Sequence, residues 1–382
     1  ETRRVDVNDV YILGCRFADS FEVGVGNCGS RGFAATGYGG EGTFNVSNLV
    51  FSGNTFERTL LFSFAGAGDE DYNVVSGYTV CSNTFTDGGI GLLASDAHSW
   101  YVYGYDGSDE PAYCEYNIFE NVTISGNSIT YTENTPAVYS AIIKMQAANL
   151  GNSHSTLQNV MIRNNRSLIL GGDKNIHSTV SIGTVSVSDC YEEGKEYNAH
   201  VYPGMEHTDY NTVKHVVIKN NDFQLGSERS MQIFNVDVNV GGQCGSHNEL
   251  CDVLVDNNRI ESASGVSILN YQGTYESDTC ADNYLHDVTF THNTVTRSIA
   301  TFVPCGILAA TASITLHGMA TADYPAYSGS MDTIEISGNN ITGFEQGIVA
   351  AAAYEDYVDG AHLSNVSISG NHIETKNYND YP

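Results

Sequence analysis

The sequence predicts an all-β protein, a right-handed parallel β-helix solenoid of about ten coils, with an asparagine ladder and long loops after the first strand of several coils. Three observations predict this fold. A short strand pattern repeats along the chain, an asparagine recurs at one position of that pattern, and regularly spaced hairpin signals are missing. Apolar and polar residues alternate within each copy, which is the period of a strand. Val122–Ile129 and Val253–Ile260 are typical copies.

The asparagine stands at the end of the strand in nine of the ten copies, and Cys15 takes its place in the first copy. Asparagine tolerates the left-handed backbone that a tight bend requires. Because the coils stack, we expect these side chains to form one ladder of mostly buried amides, each hydrogen-bonded to the next coil. The predicted ladder consists of Asn54, Asn83, Asn127, Asn165, Asn221, Asn258, Asn293, Asn339 and Asn371.

A further strand signal follows each bend and begins the next coil, as in Gly89–Leu93 and Gly265–Leu269. No linker or change of composition interrupts the pattern, so we expect residues 1–382 to form a single domain. The pattern begins and ends without a capping element. We therefore expect either a fragment of a longer chain or a partner that covers the solenoid ends. The longest insertions follow the first strand of a coil, at residues 96–117, 189–212, 241–251, 273–285, 318–331 and 354–362.

These repeats resemble the parallel β-helix repeats of the pectate-lyase-like superfamily, which contains extracellular carbohydrate-active enzymes and related surface proteins. The resemblance covers residues 5–375. It implies that the first strand of each coil lines a ligand cleft. The Asn-Thr-Asp, Gly-His-Gly and Arg-Ile-Lys motifs of polygalacturonases are absent from the sequence, as is the Asp-Pro-His of alginate epimerases. No catalytic residue is therefore assigned from the resemblance.

The charge balance limits the partners of this chain. There are 45 Asp and Glu residues against 16 Lys and Arg, for a net charge of −29. A nucleic-acid partner requires a basic surface, and anionic membranes and polyuronates would be repelled. No apolar run is suited to membrane insertion. These features favour an oligosaccharide or polysaccharide that is neutral or weakly charged.

The cysteines predict an oxidising environment, because nine of them occur in a lysine-poor chain without any Cys-x-x-Cys pair. We expect an extracellular or cell-surface location. Cys244 and Cys251 are close enough in one loop to form a disulfide, and Cys81 and Cys114 are the next candidates.

Candidate catalytic residues come from the middle of the solenoid. Asp237 lies on a predicted first strand between Asn235 and Asn239, which are suited to binding hydroxyl groups. Alternation with the valines of this strand predicts that all three point outward. Asp189, at the end of the preceding first strand, is the expected second carboxylate, and His207 is an acid, base or orienting group. Carboxylates one coil apart match the spacing of about 5–5.5 Å in retaining glycosidases.

The same alignment predicts the substrate-binding surface. Loop tyrosines, among them Tyr210, are expected to offer flat faces to sugar rings. Lys144 is the one lysine on a first strand, and a lysine would serve as the base of a polysaccharide lyase. The predicted substrate-binding residues are Asn235, Asn239, Asp96, Trp100, Lys144, Gln146, Tyr191, Gln272 and Tyr271.

Two classes of function follow. One is an extracellular glycoside hydrolase with paired carboxylates, with a polysaccharide lyase as its enzymatic alternative. The other is a non-catalytic adhesin, glycan-binding stalk or tailspike-like protein. No cofactor is required for either.

The compact acidic loop Asp69–Asp71, with Glu70 between the aspartates, is a candidate Ca²⁺ site.

Overall fold

The computed structural model describes residues 3–19, 22–26, 42–67, 71–96, 114–132, 141–149, 152–170, 178–186, 208–224, 231–238, 245–262, 265–274, 280–297, 305–315, 327–354 and 360–376. The regular elements in these ranges are strands, and none of them is a helix. No helix in this part of the chain could therefore cross a membrane.

Thirty strands form three sheets. Sheet A contains β1 (Arg3–Leu13), β4 (Gly42–Ser52), β7 (Val74–Cys81), β10 (Ile118–Ser125), β13 (Thr156–Arg163), β16 (Thr212–Lys219), β19 (Glu249–Asp256), β22 (Cys280–Thr291), β25 (Tyr327–Ser337), β28 (Ala361–Leu363) and β29 (Val366–Ser369). Sheet B contains β2 (Arg16–Ala18), β5 (Thr55–Glu57), β8 (Thr84–Thr86), β11 (Ser128–Tyr131), β14 (Arg166–Ile169), β17 (Asp222–Gln224), β20 (Arg259–Ser262), β23 (Thr294–Arg297), β26 (Asn340–Thr342) and β30 (His372–Glu374). Sheet C contains β3 (Glu22–Val23), β6 (Leu60–Ala67), β9 (Ile90–Asp96), β12 (Ala141–Asn149), β15 (Ser178–Ser186), β18 (Met231–Val238), β21 (Val266–Thr274), β24 (Cys305–Thr315) and β27 (Gln346–Tyr354).

Through β27 the chain visits the three sheets in turn, so each strand up to β25 pairs with the strand three numbers later. In the last coil β29 also pairs with β25, and β30 pairs with β26. All of these pairings are parallel, as between β10 and β13, where Val122 pairs with Val160. Ten coils are stacked in this way, which confirms the predicted all-β solenoid. The long insertions predicted after the first strands lie largely outside the described residues, between the sheet C strands and sheet A. That residues 1–382 form a single domain stays a prediction.

The core lies between the three sheets and is built from rows of identical or similar side chains. Phe17, Phe56 and Phe85 occupy one position of successive sheet B strands, and their rings stack with centroids 5.0 and 4.6 Å apart. Parallel pairing in register places equivalent inward residues directly above one another. The repeat in the sequence therefore becomes a continuous buried column.

The predicted asparagine ladder is confirmed. The Oδ1 atom of Asn83 accepts hydrogen bonds from the backbone N–H of Asn54 at 2.8 Å and from its Nδ2 at 3.0 Å. Nδ2 of Asn83 in turn donates to the carbonyl of Phe51 at 3.0 Å. This arrangement continues to Asn371, and every member before Asn371 is buried. The residue before each ladder asparagine has a left-handed backbone, as at Gly53 with φ +65°.

A second asparagine ladder, which the sequence analysis missed, lies at the opposite end of the sheet A strands. Its members are fully buried, and Oδ1 of each accepts the backbone N–H of the residue one coil earlier, as between Asn211 and Asn248 at 2.9 Å. Ser155 interrupts the ladder. Each member stands ten residues before an asparagine of the first ladder, so the signal was present in the sequence. The second ladder contains Asn73, Asn117, Asn211, Asn248 and Asn283.

Both predicted disulfides are wrong, since Cys81, Cys114 and Cys251 do not form disulfides. Cys81 ends a sheet A strand, whereas Cys114 precedes the beginning of the next one. About eight residues of strand, roughly 25 Å, separate these levels of the sheet, and a disulfide needs Cα atoms about 5.5–6 Å apart. The thiol of Cys114 is buried and donates to Oδ1 of Asn152 at 3.2 Å. Cys244 lies outside the described residues, and Cys251 is part of the outer surface described below.

The first ladder generates a stability prediction. Asn165→Ala would leave the buried backbone N–H of Asn127 without its acceptor and would remove one of the two acceptors of its Nδ2, which keeps the carbonyl of Val80. Unpaired buried groups cost about 1–3 kcal/mol each, so we expect a loss of about 2–5 kcal/mol in the free energy of unfolding. Urea denaturation measures this loss. The matched control is Thr123→Ala on the outer side of β10, which should change stability by less than about 0.5 kcal/mol. Equal effects of the two substitutions would contradict a structural role for the ladder.

Candidate functional site

The predicted catalytic residues are only partly within the described chain. Asp189 and His207 lie outside it, as do Asn239, Trp100 and Tyr191. For Asp237, Asn235, Asp96 and Gln272 the backbone is described and the side chain is not. Their catalytic and binding roles therefore stay predictions.

The backbone register supports one part of the prediction. Asp237 of β18 pairs with Ser186 on one side and with Gln272 on the other. Asn149 and Ser313 continue the same row. Polar residues thus occupy one level near the end of successive sheet C strands. At the start of β18, Met231 and Ile233 belong to the hydrophobic core.

Three other predicted binding residues have described side chains. Tyr271 and Gln146 are buried, each with 1 % of its surface exposed, whereas Lys144 is partly exposed. Among the described residues, the Gln146 amide has no hydrogen-bond partner on either atom. Tyr271 and Gln146 are therefore covered by other parts of the protein, and their roles in substrate binding stay predictions.

The predicted Ca²⁺ loop is described only at Asp71, since Asp69 and Glu70 lie outside the described residues. Oδ1 of Asp71 accepts the backbone N–H of Glu115 at 2.7 Å. This contact joins two successive coils at the corner before sheet A. Calcium binding in this loop stays a prediction.

An aromatic stack runs along the corner next to the second asparagine ladder. Its five rings lie on successive coils, with centroids 4.7–5.0 Å apart and planes within 10° of parallel. Each ring covers the face of its neighbour. Tyr210 therefore presents its edge and hydroxyl to solvent and not the free face that was predicted for sugar binding. The stack contains Tyr72, Tyr116, His154, Tyr210 and His247.

The densest described group of ionisable side chains lies instead on the outer side of sheet A. Each strand of this sheet has a left-handed residue near its middle, including Asp252 on β19 and Asp287 on β22. The residues on either side of this position pair regularly with the next strand, as do Cys251 and Val253. The kink recurs at one level in every coil. It therefore sets polar residues in a row on the outer surface.

A shallow groove of about 290 Å³ follows this row toward the last coils. Its carboxylates come from three successive strands, and hydroxyl groups stand between them. No lysine or arginine lines it. The lining residues are Asp252, Asp287, Thr289, Thr333, Ile334, Glu335, Asn365 and Ser367.

His286 lies beside the groove and joins two carboxylates. Its Nδ1 is 2.7 Å from Oδ2 of Asp287, and its Nε2 is 3.0 Å from Oε1 of Glu249. Tyr284 stacks on the imidazole with ring centroids 4.2 Å apart. Ligand-type atoms of Glu249, Cys251 and His286 all lie within 4.8 Å of one another.

The charges around this cluster follow from these contacts. Burial by itself lowers the pKa of His286, but the hydrogen bonds to Glu249 and Asp287 outweigh it, so the pKa is raised. Burial, reinforced by the charge of Glu249, raises the pKa of the Cys251 thiol to about 11. The cysteine is therefore a neutral thiol near pH 7 and a poor nucleophile. Burial and the charge of Asp332 also raise the pKa of Tyr284.

The sequence did not predict this site, because the candidate functional residues were placed on the first strands of the coils. The available signal was the set of outward positions in two adjacent copies, Glu249 with Cys251 and Tyr284 with His286. In the alternating pattern these positions are expected to be polar, so their chemistry did not stand out. Only the pairing of β19 with β22 brings them together.

No known protein family matches this chain, and no curated protein is detectably similar to it. The fold and the surface chemistry are therefore the basis for any functional conclusion. They define a parallel β-helix protein with an acidic outer groove on sheet A.

The contacts of His286 generate a pH prediction. In Glu249→Gln the raised pKa of His286 should fall, because one of its two carboxylate partners is lost; imidazole NMR titration measures this. The stabilisation from the protonated ring is fully present below about pH 6.5, the value for an unfolded histidine, and is lost as pH rises through the raised folded pKa. Glu335→Gln on the same sheet is the control. A His286 pKa that is equal in both variants would contradict the assigned contacts.

Proposed function

We propose that this protein binds a neutral or weakly charged glycan along the acidic groove of sheet A, outside the cell. The observation that carries the proposal is the groove on sheet A, where Asp252 and Asp287 occupy the same left-handed position of successive strands and Glu335 of the next strand lies two residues beyond that level, among threonine and serine hydroxyl groups. A polysaccharide is itself a linear repeat. A row of like groups along stacked coils therefore offers it one contact after another.

The chemistry of the groove suits sugar hydroxyl groups. Ionised carboxylates accept hydrogen bonds that are shorter and stronger than those between neutral groups. Thr289, Thr333 and Ser367 can either donate or accept.

The charge supports a neutral ligand. The described residues that line the groove include three carboxylates and no lysine or arginine, and they would repel uronates or sulfated sugars. The net charge of −29 adds to this repulsion, although salt screens it beyond about 8–10 Å. The same reasoning disfavours nucleic acid and anionic lipid as partners.

The fold supports a relationship to the pectate-lyase-like superfamily, since ten parallel coils carry a buried asparagine ladder at one corner. We include this relationship, and the extracellular or cell-surface location that it implies, in the proposal. The proposed location depends on this relationship and on the cysteine-rich, lysine-poor composition of the sequence. Disulfides do not support it, because Cys81, Cys114 and Cys251 do not form any.

Hydrolysis at sheet C is a second candidate function, favoured by the polar row at the level of Asp237. Asp237 would be the principal carboxylate, with Asp189 as its partner and His207 as an acid, base or orienting group. A hydrolase of this kind keeps one carboxyl protonated near neutral pH, which a second nearby carboxylate favours by repulsion. Lyase chemistry with Lys144 as base is disfavoured, because its substrates are uronates.

Binding is tested by screening the full chain on a glycan array and measuring affinity for the best ligand by calorimetry. Asp252→Asn with Asp287→Asn should weaken binding about tenfold or more, since a hydrogen bond to a charged group contributes about 1.5–3 kcal/mol. Asp9→Asn is the matched control. Asp9 occupies the same left-handed position, φ +56°, in the first coil, far from the groove. Equal affinity of the two variants would refute binding in this groove.

Hydrolysis is tested separately by following the release of reducing ends from the bound glycan. Asp237→Asn should abolish turnover and leave affinity at the sheet A groove unchanged, because general acid catalysis contributes about 10²–10⁴ in rate. Full activity of this variant would exclude Asp237. Binding without turnover in the unmodified protein would favour the adhesin or stalk function.

A further inference from the structure

We infer that Glu249, Cys251 and His286 form a binding site for a transition-metal ion, with Zn²⁺ or Co²⁺ as the expected class, on the outer side of β19 and β22. This inference is independent of glycan binding. It rests on the kind of donor atoms, on their separation, and on the hydrogen bond from His286 to Asp287 that orients the imidazole.

The strand geometry places the three side chains together. Glu249 and Cys251 are two residues apart on β19, so they point to the same side of the sheet. His286 pairs with Cys251 across the β19–β22 ladder. Two strands in the middle of a long sheet are rigid supports. The donors therefore hold their relative positions without a ligand.

The separation suits one ion. The carboxylate oxygen, the thiol sulfur and an imidazole nitrogen lie within 4.8 Å of one another. A tetrahedral site with bonds of about 2.0–2.3 Å separates its donor atoms by roughly 3.5 Å. Rotation of the Glu249 and Cys251 side chains suffices to close the difference. Nε2 of His286, now 3.0 Å from Glu249, would exchange that hydrogen bond for the metal.

Asp287 accepts the hydrogen bond that the second ring nitrogen of a metal-binding histidine usually donates. Its Oδ2 lies 2.7 Å from Nδ1 of His286 and accepts a hydrogen bond from it. This contact fixes the ring orientation and leaves Nε2 as the atom that faces Glu249 and Cys251. A carboxylate bound to the far nitrogen of a ligand histidine also increases its basicity.

The donor set selects the class of metal. A thiolate and an imidazole favour Zn²⁺, Co²⁺ or Cu ions over Ca²⁺ and Mg²⁺, which prefer oxygen. Glu249 and the Cys251 thiolate supply two negative charges for a divalent ion, and the thiol and imidazole protons pass to solvent on binding. All three side chains are partly exposed, so the ion enters from solvent. Three protein donors leave a fourth position for water or another ligand.

The test is a titration of the reduced, chelator-treated full chain with CoCl₂, followed by absorption. A thiolate-to-cobalt charge-transfer band should rise and saturate at one equivalent, and ZnCl₂ should abolish it by displacement. Cys251→Ser should lose the band. The matched control is Cys81→Ser, because Cys81 also lies on the outer side of sheet A but stands between Ser52 and Ser125. This control should retain the band in full.

His286→Asn is the second variant, and it keeps the proposal testable if Cys251→Ser does not fold. Its cobalt affinity should fall by more than about tenfold, since loss of even an outer-shell partner costs about 10–100-fold. ZnCl₂ should also slow alkylation of Cys251, but not of Cys81, when the labelled peptides are measured by mass spectrometry. No saturable band, or a band that persists in Cys251→Ser, would overturn the site. Equal Zn²⁺ protection of both cysteines would do the same.

Discussion

At the corners where the sheet A strands begin and end, the backbone turns out of the sheet, and its buried N–H groups need acceptors inside the protein. Buried asparagine amides are the acceptors at most of the described corners. Oδ1 of one coil accepts the backbone N–H of the coil before it, as between Asn127 and Asn165 or between Asn211 and Asn248. Buried donors without partners are costly. The two ladders therefore fix the corners, and through them the register of all three sheets.

A fixed register turns the repeat into rows of functional groups. The same stacking that places Phe56 on Phe85 in the core places Tyr116 on His154 at the surface. Along the middle of sheet A the left-handed residue of each strand recurs at one level. Where that residue is an aspartate in successive coils, the surface becomes an acidic groove. A linear ligand is the natural partner of such a row.

Asp287 connects the two proposed sites. It lines the groove and also holds the ring of His286, which lies 37 residues away from its other carboxylate partner, Glu249. A metal ion on His286 would strengthen the hydrogen bond to Asp287 and reduce its availability to a sugar hydroxyl. Glycan binding and metal binding are therefore expected to influence each other through this one carboxylate.

The sequence by itself determined the coil count and the buried first ladder, because a strand period of two and an asparagine at a fixed position are local patterns. The second ladder was equally available, ten residues before the first, as in Asn73 and Asn83. Cys251 and His286 each stand seven residues before an asparagine of the first ladder, so their pairing follows from the repeat once the coils stack in register. Only the tertiary structure decided how closely the side-chain atoms of Glu249, Cys251 and His286 approach one another. Burial is likewise a property of the packed stack, so the sequence did not reveal that only 1 % of the surface of Tyr271 is exposed.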